Sequence, residues 1–229
     1  METALEKHEG TVSIGGRNVT NLRFADDIDG LGGTEKELHN LVEQIDKACM
    51  AAGMEISAEK TKVMCNKKGG FTKGVKVGDT KLEEVTAFKY LGATISEQGS
   101  KPEIVNRIAQ SISALAKLQT IWRDQNINLR SKIRLMRSLV ISIFLYACES
   151  WTLNKDLEKR ISAFEMRCYR RILGISYKDR ITNLEVKNRI QQVIGPYEEL
   201  LTTVRKRTLR GQYCSKFDKK RFLGLNLES

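Results

Sequence analysis

The sequence predicts an α+β protein, with a small antiparallel β portion under one covering helix followed by an all-α helical bundle. Three observations lead there. Short apolar runs separated by glycine-bearing turns fill residues 1–99. From Ser100 onward apolar residues recur instead at helical spacing, behind Ser, Asn and Thr starts. Charge divides at the same place. Residues 1–100 carry 13 Lys/Arg and 16 Asp/Glu, a net of −3; residues 101–210 carry 22 and 10, a net of +12; residues 211–229 carry 4 and 2. The surplus of +11 therefore belongs to the second half, which points to a polyanionic partner there. The predicted boundaries are a mainly β unit at 1–99, a basic helical unit at 100–210, and a loose tail at 211–229.

In chain order, Val12 to Val19 reads as a hairpin turning at Gly15-Gly16, because glycine supplies the positive φ such turns demand. It leads into Asn21-Leu22-Arg23-Phe24-Ala25-Asp26-Asp27-Ile28. Neighbouring side chains of a strand point to opposite faces, so Asp26 and Asp27 reach one ion only at a bend. Adjacent carboxylates repel and are tolerated at a solvated turn or where a divalent cation neutralises them. Taken alone, the pair fits either an ordinary polar turn or a cation site. Thr34 to Ala52 is a helix with a Thr34/Glu37 capping box and an apolar stripe of Leu38, Leu41, Val42, Ile45 and Cys49, ended by Gly53. Met54–Ser57 and Lys62–Cys65 read as strands around a turn carrying Glu59, Lys60 and Thr61. A Gly/Lys loop spans Lys67–Lys73. Val75–Leu82 turns at Gly78-Asp79, and Ala87–Ser96 is a strand pair about Gly92.

Ser100 and Glu103 have the spacing of a second capping box. Behind it, Ile104, Val105, Ile108, Ile112, Leu115 and Trp122 form one stripe, and Ile133, Met136, Leu139, Val140 and Ile143 another. Asn154 opens a helix with Leu157, Ile161, Phe164, Cys168 and Ile172 inside, stopped by Gly174. Thr182 and Glu185 open the next, ended by Gly195-Pro196, and Tyr197, Leu200, Leu201 and Val204 start the last. Cations gather at Arg160, Arg167, Arg170 and Arg171, at Arg205-Lys206-Arg207 with Arg210, and at Lys132, Arg134 and Arg137. One such cluster is ordinary solvation of a helix face. Three of them in so basic a bundle point to phosphate-backbone contact, with no motif for reading bases.

Cys49, Cys65, Cys148, Cys168 and Cys214 lack a paired short spacing and only His8 and His39 are available, which excludes a zinc site. Unpaired thiols in apolar contexts imply a reducing, intracellular setting. Met1 to Lys7 has no apolar core of a secretory signal. The most apolar run, Leu139–Cys148, is ten residues, roughly half a bilayer span, so no membrane role is expected.

The order of parts carries a resemblance. Phe24-Ala25-Asp26-Asp27, then a capped helix, then Gly53 to Thr61 ending in Lys60-Thr61, then Phe88-Lys89-Tyr90-Leu91-Gly92, then basic helices, resembles the C-terminal palm plus thumb of non-LTR (LINE-type) retrotransposon reverse transcriptases, nearest to the RTE-like group. Tyr146 to Thr152 and Arg160 to Tyr177 also look like that family, and the likeness spans roughly residues 11–210.

The resemblance implies RNA-directed DNA polymerase chemistry by two-metal nucleotidyl transfer. Asp26 and Asp27 would hold Mg²⁺ or Mn²⁺, Asp26 the more directly. Lys60 would lie near the triphosphate and protonate the leaving group; the residue types alone equally allow an exposed turn lysine. Phe88, Lys89, Tyr90, Leu91 and Gly92 would position the primer end, although Phe88, Tyr90 and Leu91 also suit plain core packing. Arg160, Arg167, Arg170 and Arg171 would grip an RNA template and DNA primer, with deoxynucleoside triphosphates as substrate. The family's fingers, and its palm strand with a third metal-binding aspartate, have no counterpart before Asn21. The expectation is a polymerase fragment, inactive without that N-terminal half. The alternative is a non-catalytic nucleic-acid-binding protein that uses the basic half.

Overall fold

A computed structural model describes residues 11–14, 17–18, 20–24, 27–65, 71, 73–214 and 221–228. The predicted Gly15-Gly16 turn, Ala25, Asp26 and most of the Gly/Lys loop lie outside the described residues. The chain is α+β and divides into two units, residues 1–97 with 212–229, and residues 98–211.

Glycine turns and short alternating runs make the first unit a set of hairpins. β1 (Ser13–Ile14) pairs with β2 (Arg17–Asn18). β3 (Asn21–Phe24) pairs antiparallel with β4 (Asp27–Gly32), setting Leu22 opposite Asp29 and Phe24 opposite Asp27. α1 (Glu35–Ala51) starts where the Thr34 side chain accepts from the Glu37 amide. Its buried Leu38, Leu41, Val42, Ile45 and Cys49 pack with Ile28 of β4, Ile56 of β5 (Glu55–Ile56) and Val63 of β6 (Lys62–Met64). Glu37 also accepts from the Gly33 amide at 3.0 Å and from Thr11, pinning the start of this unit to the helix. β7 (Lys76–Val77) and β8 (Thr80–Lys81) turn about Gly78 at φ +54°. β9 (Glu83–Glu84) runs parallel to β6, and β10 (Ala87–Tyr90) pairs with β11 (Ala93–Ser96).

The expectation of a loose tail at 211–229 is corrected for residues 221–228. They form β12 (Arg221–Glu228), antiparallel to β4 on one side and to β5 and β6 on the other, giving the order β3-β4-β12-β6-β9. The cause is topological. β4 and β6 point the same way and are joined through α1, so the crossover leaves one strand lane between them. Backbone groups facing that lane need partners, and an antiparallel strand supplies them. Leu223, Leu225 and Leu227 alternate in the sequence, a period-two signal too short to separate from a tail on pattern alone.

The second unit is helical. α2 (Lys101–Lys117), α3 (Gln119–Arg123) and α4 (Leu129–Leu135) lead into a π-helical stretch at Met136–Ile141 and α5 (Ser142–Leu145). α6 (Lys155–Leu173), α7 (Asn183–Ile194) and α8 (Leu200–Cys214) follow. Asn154 and Thr182 cap α6 and α7 as their sequence positions predict. Ser100 does not cap α2: its hydroxyl accepts from the Thr152 amide at 2.8 Å, and Glu103 turns to Arg107 at 2.6 Å in a buried ion pair. The predicted stripe through Leu139 also shifts. A π turn holds more residues than an α turn, so the buried positions run Met136, Val140, Phe144, Cys148, and Leu139 is 45% exposed. Phe144 sits between Trp151 and Phe164, with ring centroids 5.2 and 4.9 Å away. Cys49, Cys65, Cys148 and Cys168 are buried free thiols. Among the described residues no helix is long and apolar enough to cross a membrane.

Candidate functional site

Strand alternation sorts β4 into two faces. Ile28 enters the core under α1, so Asp27 and Asp29 project from the opposite face of the same strand. Asp27 is half-buried, whereas Asp29 is 1% exposed. Burial, reinforced by the charge of Asp27, pushes the Asp29 carboxyl up to about 7, and a hydrogen bond from Tyr90 partly opposes the rise. The same surroundings push the Tyr90 hydroxyl up, burial first and then the two carboxylates. The Asp29 Oδ2 atom is buried with no hydrogen-bond partner among the described residues.

Tyr90 belongs to the β10–β11 hairpin. Phe88 and Tyr90 are half-buried and Lys89 is exposed, as alternation requires; none of them is fully buried core. The two turn residues, Leu91 at φ +45° and Gly92 at φ +79°, give the hairpin a left-handed two-residue turn. Glycine adopts this conformation freely. Leucine does not, so Leu91, 38% exposed, carries backbone strain at the tip. Leu91→Asn is expected to stabilise the first unit by up to about 1 kcal/mol, because asparagine tolerates the left-handed region. Thermal unfolding would show it, and a destabilised variant would mean that Leu91 packs more than its exposure suggests.

Lys60 is exposed in the turn between β5 and β6. Ladder register locates that turn. On β12, Asn226 lies opposite Asp27, Leu227 opposite Ile56, and Gly224 opposite both Asp29 and Lys62. The Lys60 turn is therefore level with Asp27, two strand spacings or ~10 Å across the sheet. Asp26 lies outside the described residues. Among the described residues no three His, Cys, Asp or Glu side chains are grouped to hold a metal. Asp27 and the buried, unpartnered Asp29 oxygen offer a hard-oxygen donor set on one face, which fits Mg²⁺ or Mn²⁺ in ligand type. Sequence reading singled out Asp26 and Asp27 and left Asp29 aside. The i, i+2 spacing of 27 and 29 was the available signal.

In the second unit, structure separates the cations that the sequence grouped. Lys132 is buried and donates to the Trp122 carbonyl at 2.9 Å, while Arg137 lies over the Tyr197 ring at 5.3 Å. Arg205, Lys206 and Arg207 pair with Glu158, Glu198 and Glu149. Arg170 is half-buried, its Nη2 donating to the Ile181 carbonyl at 2.7 Å and to Asn183 at 2.9 Å. Arg160 pairs with Asp156 at 2.9 Å, an exposed contact of small energetic worth. Arg167 and Arg171 are exposed and make no ion pair among the described residues. With Arg170 they rim an open cleft of about 500 Å³ between α2 and α6, floored by Ile112, Leu115 and Met166.

Residues 1–95 match the reverse transcriptase (RNA-dependent DNA polymerase) family. An uncharacterized transposon-derived protein of Caenorhabditis elegans is 29% identical over 202 residues, covering 86% of this chain and 71% of that protein. No solved structure matches the chain. Together the two matches support a reverse-transcriptase-like chain.

Proposed function

We propose that this chain is the C-terminal palm and thumb portion of an RNA-directed DNA polymerase of a non-LTR, RTE-like retrotransposon. The observation that supports it most is the carboxylate face of β4, where Asp27, next to Asp26 in the sequence, stands two residues from a buried Asp29. Asp26 and Asp27 hold the divalent cations. When bound, these activate the primer 3′ oxygen and neutralise the triphosphate and departing pyrophosphate. Lys60, level with Asp27 across the sheet, donates a proton to the leaving group. Phe88 to Gly92 positions the primer end, its strained and exposed Leu91 tip meeting the nucleic acid.

Two adjacent carboxylates, Asp26 and Asp27, leave a metal pair under-coordinated, so this 229-residue chain alone is expected not to extend a primed RNA template. Mn²⁺ binding followed by electron spin resonance should still weaken in Asp27→Ala. Extension that depends on Mg²⁺ and vanishes in Asp26→Ala would overturn the inactive assignment; Mn²⁺ binding identical in Asp27→Ala would remove the metal role.

A second reading, a non-catalytic nucleic-acid binder, draws on the exposed Arg167 and Arg171, which make no ion pair among the described residues. In either case Arg160, Arg167, Arg170 and Arg171 serve phosphates, with Arg170 chiefly holding the segment after α6 in place. Charge reversal at both Arg167 and Arg171 should weaken binding to an RNA–DNA duplex and flatten the slope of log K against log salt by ~2. An unchanged slope would exclude this face.

A further inference from the structure

The cleft rimmed by Arg167, Arg170 and Arg171 continues along the two helices that form it. A second part of about 250 Å³ is lined by Val105, Ile108, Arg160 and Phe164, and the two parts share Ile112, Ala163 and Arg167. Val105 lines the same part as Arg160, and Ala116 the same part as Arg171, so one trough follows α2 and α6 together. Each of these spans, 105 to 116 and 160 to 171, is about 16 Å long at the helical rise. The walls differ in chemistry. On α6, Arg160, Arg167 and Arg171 recur at spacings of seven and four, which keep them on one side of the helix. On α2, Val105 is 43% exposed, and Ile108 and Ile112 are only partly buried. Among the described residues no carboxylate lines either part, and Arg167 and Arg171 make no ion pair.

Phosphates on the arginines leave the apolar wall unused. Bases stack on aromatic faces, and the lining is aliphatic except for Phe164, which is 3% exposed. An extended peptide needs a strand edge or an aromatic groove, and a trough between two helices offers neither. A helix laid in it buries an apolar stripe on the α2 wall and brings one flank beside the arginines. The arginines, in a region of net +12 over residues 101–210, set the charge of that flank as negative. We propose that the α2–α6 trough receives an acidic amphipathic helix of a partner protein, with its apolar stripe on Val105, Ile108 and Ile112 and its carboxylates on Arg167 and Arg171. The trough length fits about three turns of such a helix. Helix and nucleic-acid duplex draw on the same two arginines and therefore exclude one another.

Fluorescence anisotropy on the full chain tests this with a labelled synthetic helix of about eighteen residues, leucines along one face and glutamates along the adjoining flank. A peptide of the same composition with its leucines scattered is expected to bind about tenfold more weakly, because it offers charge without a stripe. Val105→Gln should lower helix affinity about fivefold and leave affinity for an RNA–DNA duplex unchanged. Ala163, exposed where the two parts meet, gives a second variant. Ala163→Trp fills the trough and should lower helix affinity about tenfold. Charge reversal at Arg167 and Arg171 should weaken helix and duplex alike, and the duplex should displace the bound helix. Equal binding of the scattered peptide would overturn the proposal, as would a helix affinity untouched by both Val105→Gln and Ala163→Trp. Duplex affinity that falls with Val105→Gln would overturn it in favour of nucleic acid. Phosphatidylserine vesicles that bind with the same dependence on Val105 would overturn it in favour of a membrane surface. If the wild type binds the helix and no duplex, the nucleic-acid reading fails and the helix site stands.

Discussion

Glu103→Ala is expected to cost the helical unit about 3–5 kcal/mol, the largest effect of any single substitution considered for this chain. Glu103 and Arg107 lie one turn apart on α2 and are both nearly inaccessible, with Nε donating to Oε1 at 2.6 Å. The guanidinium also lies 4.5 Å from the centre of the Tyr146 ring. Removing the carboxylate leaves a charge that cannot neutralise itself, because arginine does not deprotonate in proteins. The ring retains part of the stabilisation, but a cation–π contact contributes only about 2 kcal/mol when desolvated. Replacing both residues together, Glu103→Leu with Arg107→Met, should be far milder than the single change, since no buried charge remains. Trp122 and Trp151 both belong to this unit, so their fluorescence during urea unfolding reports it directly. A loss below about 1 kcal/mol in Glu103→Ala would mean that water or another protein group compensates the Arg107 charge.

The first unit is expected to lose stability as pH rises from about 4 to about 7. The Asp29 carboxyl is held up to about 7 against an ordinary value of 3.8. Between those values the folded chain keeps a proton that the unfolded chain releases, so the folded state is favoured most below the window and loses that advantage as pH climbs through it. One proton limits the slope to about 1.4 kcal/mol per pH unit. Asp29→Asn removes the titration, and should flatten the profile and leave the variant the more stable at pH 8. Glu165 in the helical unit is also raised, by burial, so a whole-chain melt would mix two sources. Protection of α1 amides, corrected for intrinsic exchange, isolates the first unit. A profile that keeps its slope in Asp29→Asn would assign the effect to another group.

Periodicity exposed most of the elements because each is locally consistent. Thr34 and Asn154 cap as expected because a short polar side chain ahead of an apolar stripe has one good use at a helix start. Ser100 has the same local signature and a different fate. Thr152, fifty-two residues away, offers its hydroxyl an alternative partner, and Arg107 draws Glu103 inward. Leu139 was misplaced for a related reason: a stripe assumes 3.6 residues per turn, and the π stretch breaks that count. For the basic clusters, sequence shows charge but not its neighbours, so it could not tell Arg167 from the buried Lys132 or from the ion-paired Arg205.

Residue order alone establishes the α+β class, the basic helical half, and the ordered motifs around Asp26 and Asp27 that resemble a polymerase. These follow from short-range chemistry: turn residues, caps, alternation and net charge act on neighbours in sequence. The lane that β12 fills beside β4, the level placement of the Lys60 turn with Asp27, and the burial of Asp29 were decided only by tertiary structure. Each joins residues tens to hundreds of positions apart, and the desolvation that raises Asp29 exists only once those distant segments have closed over it.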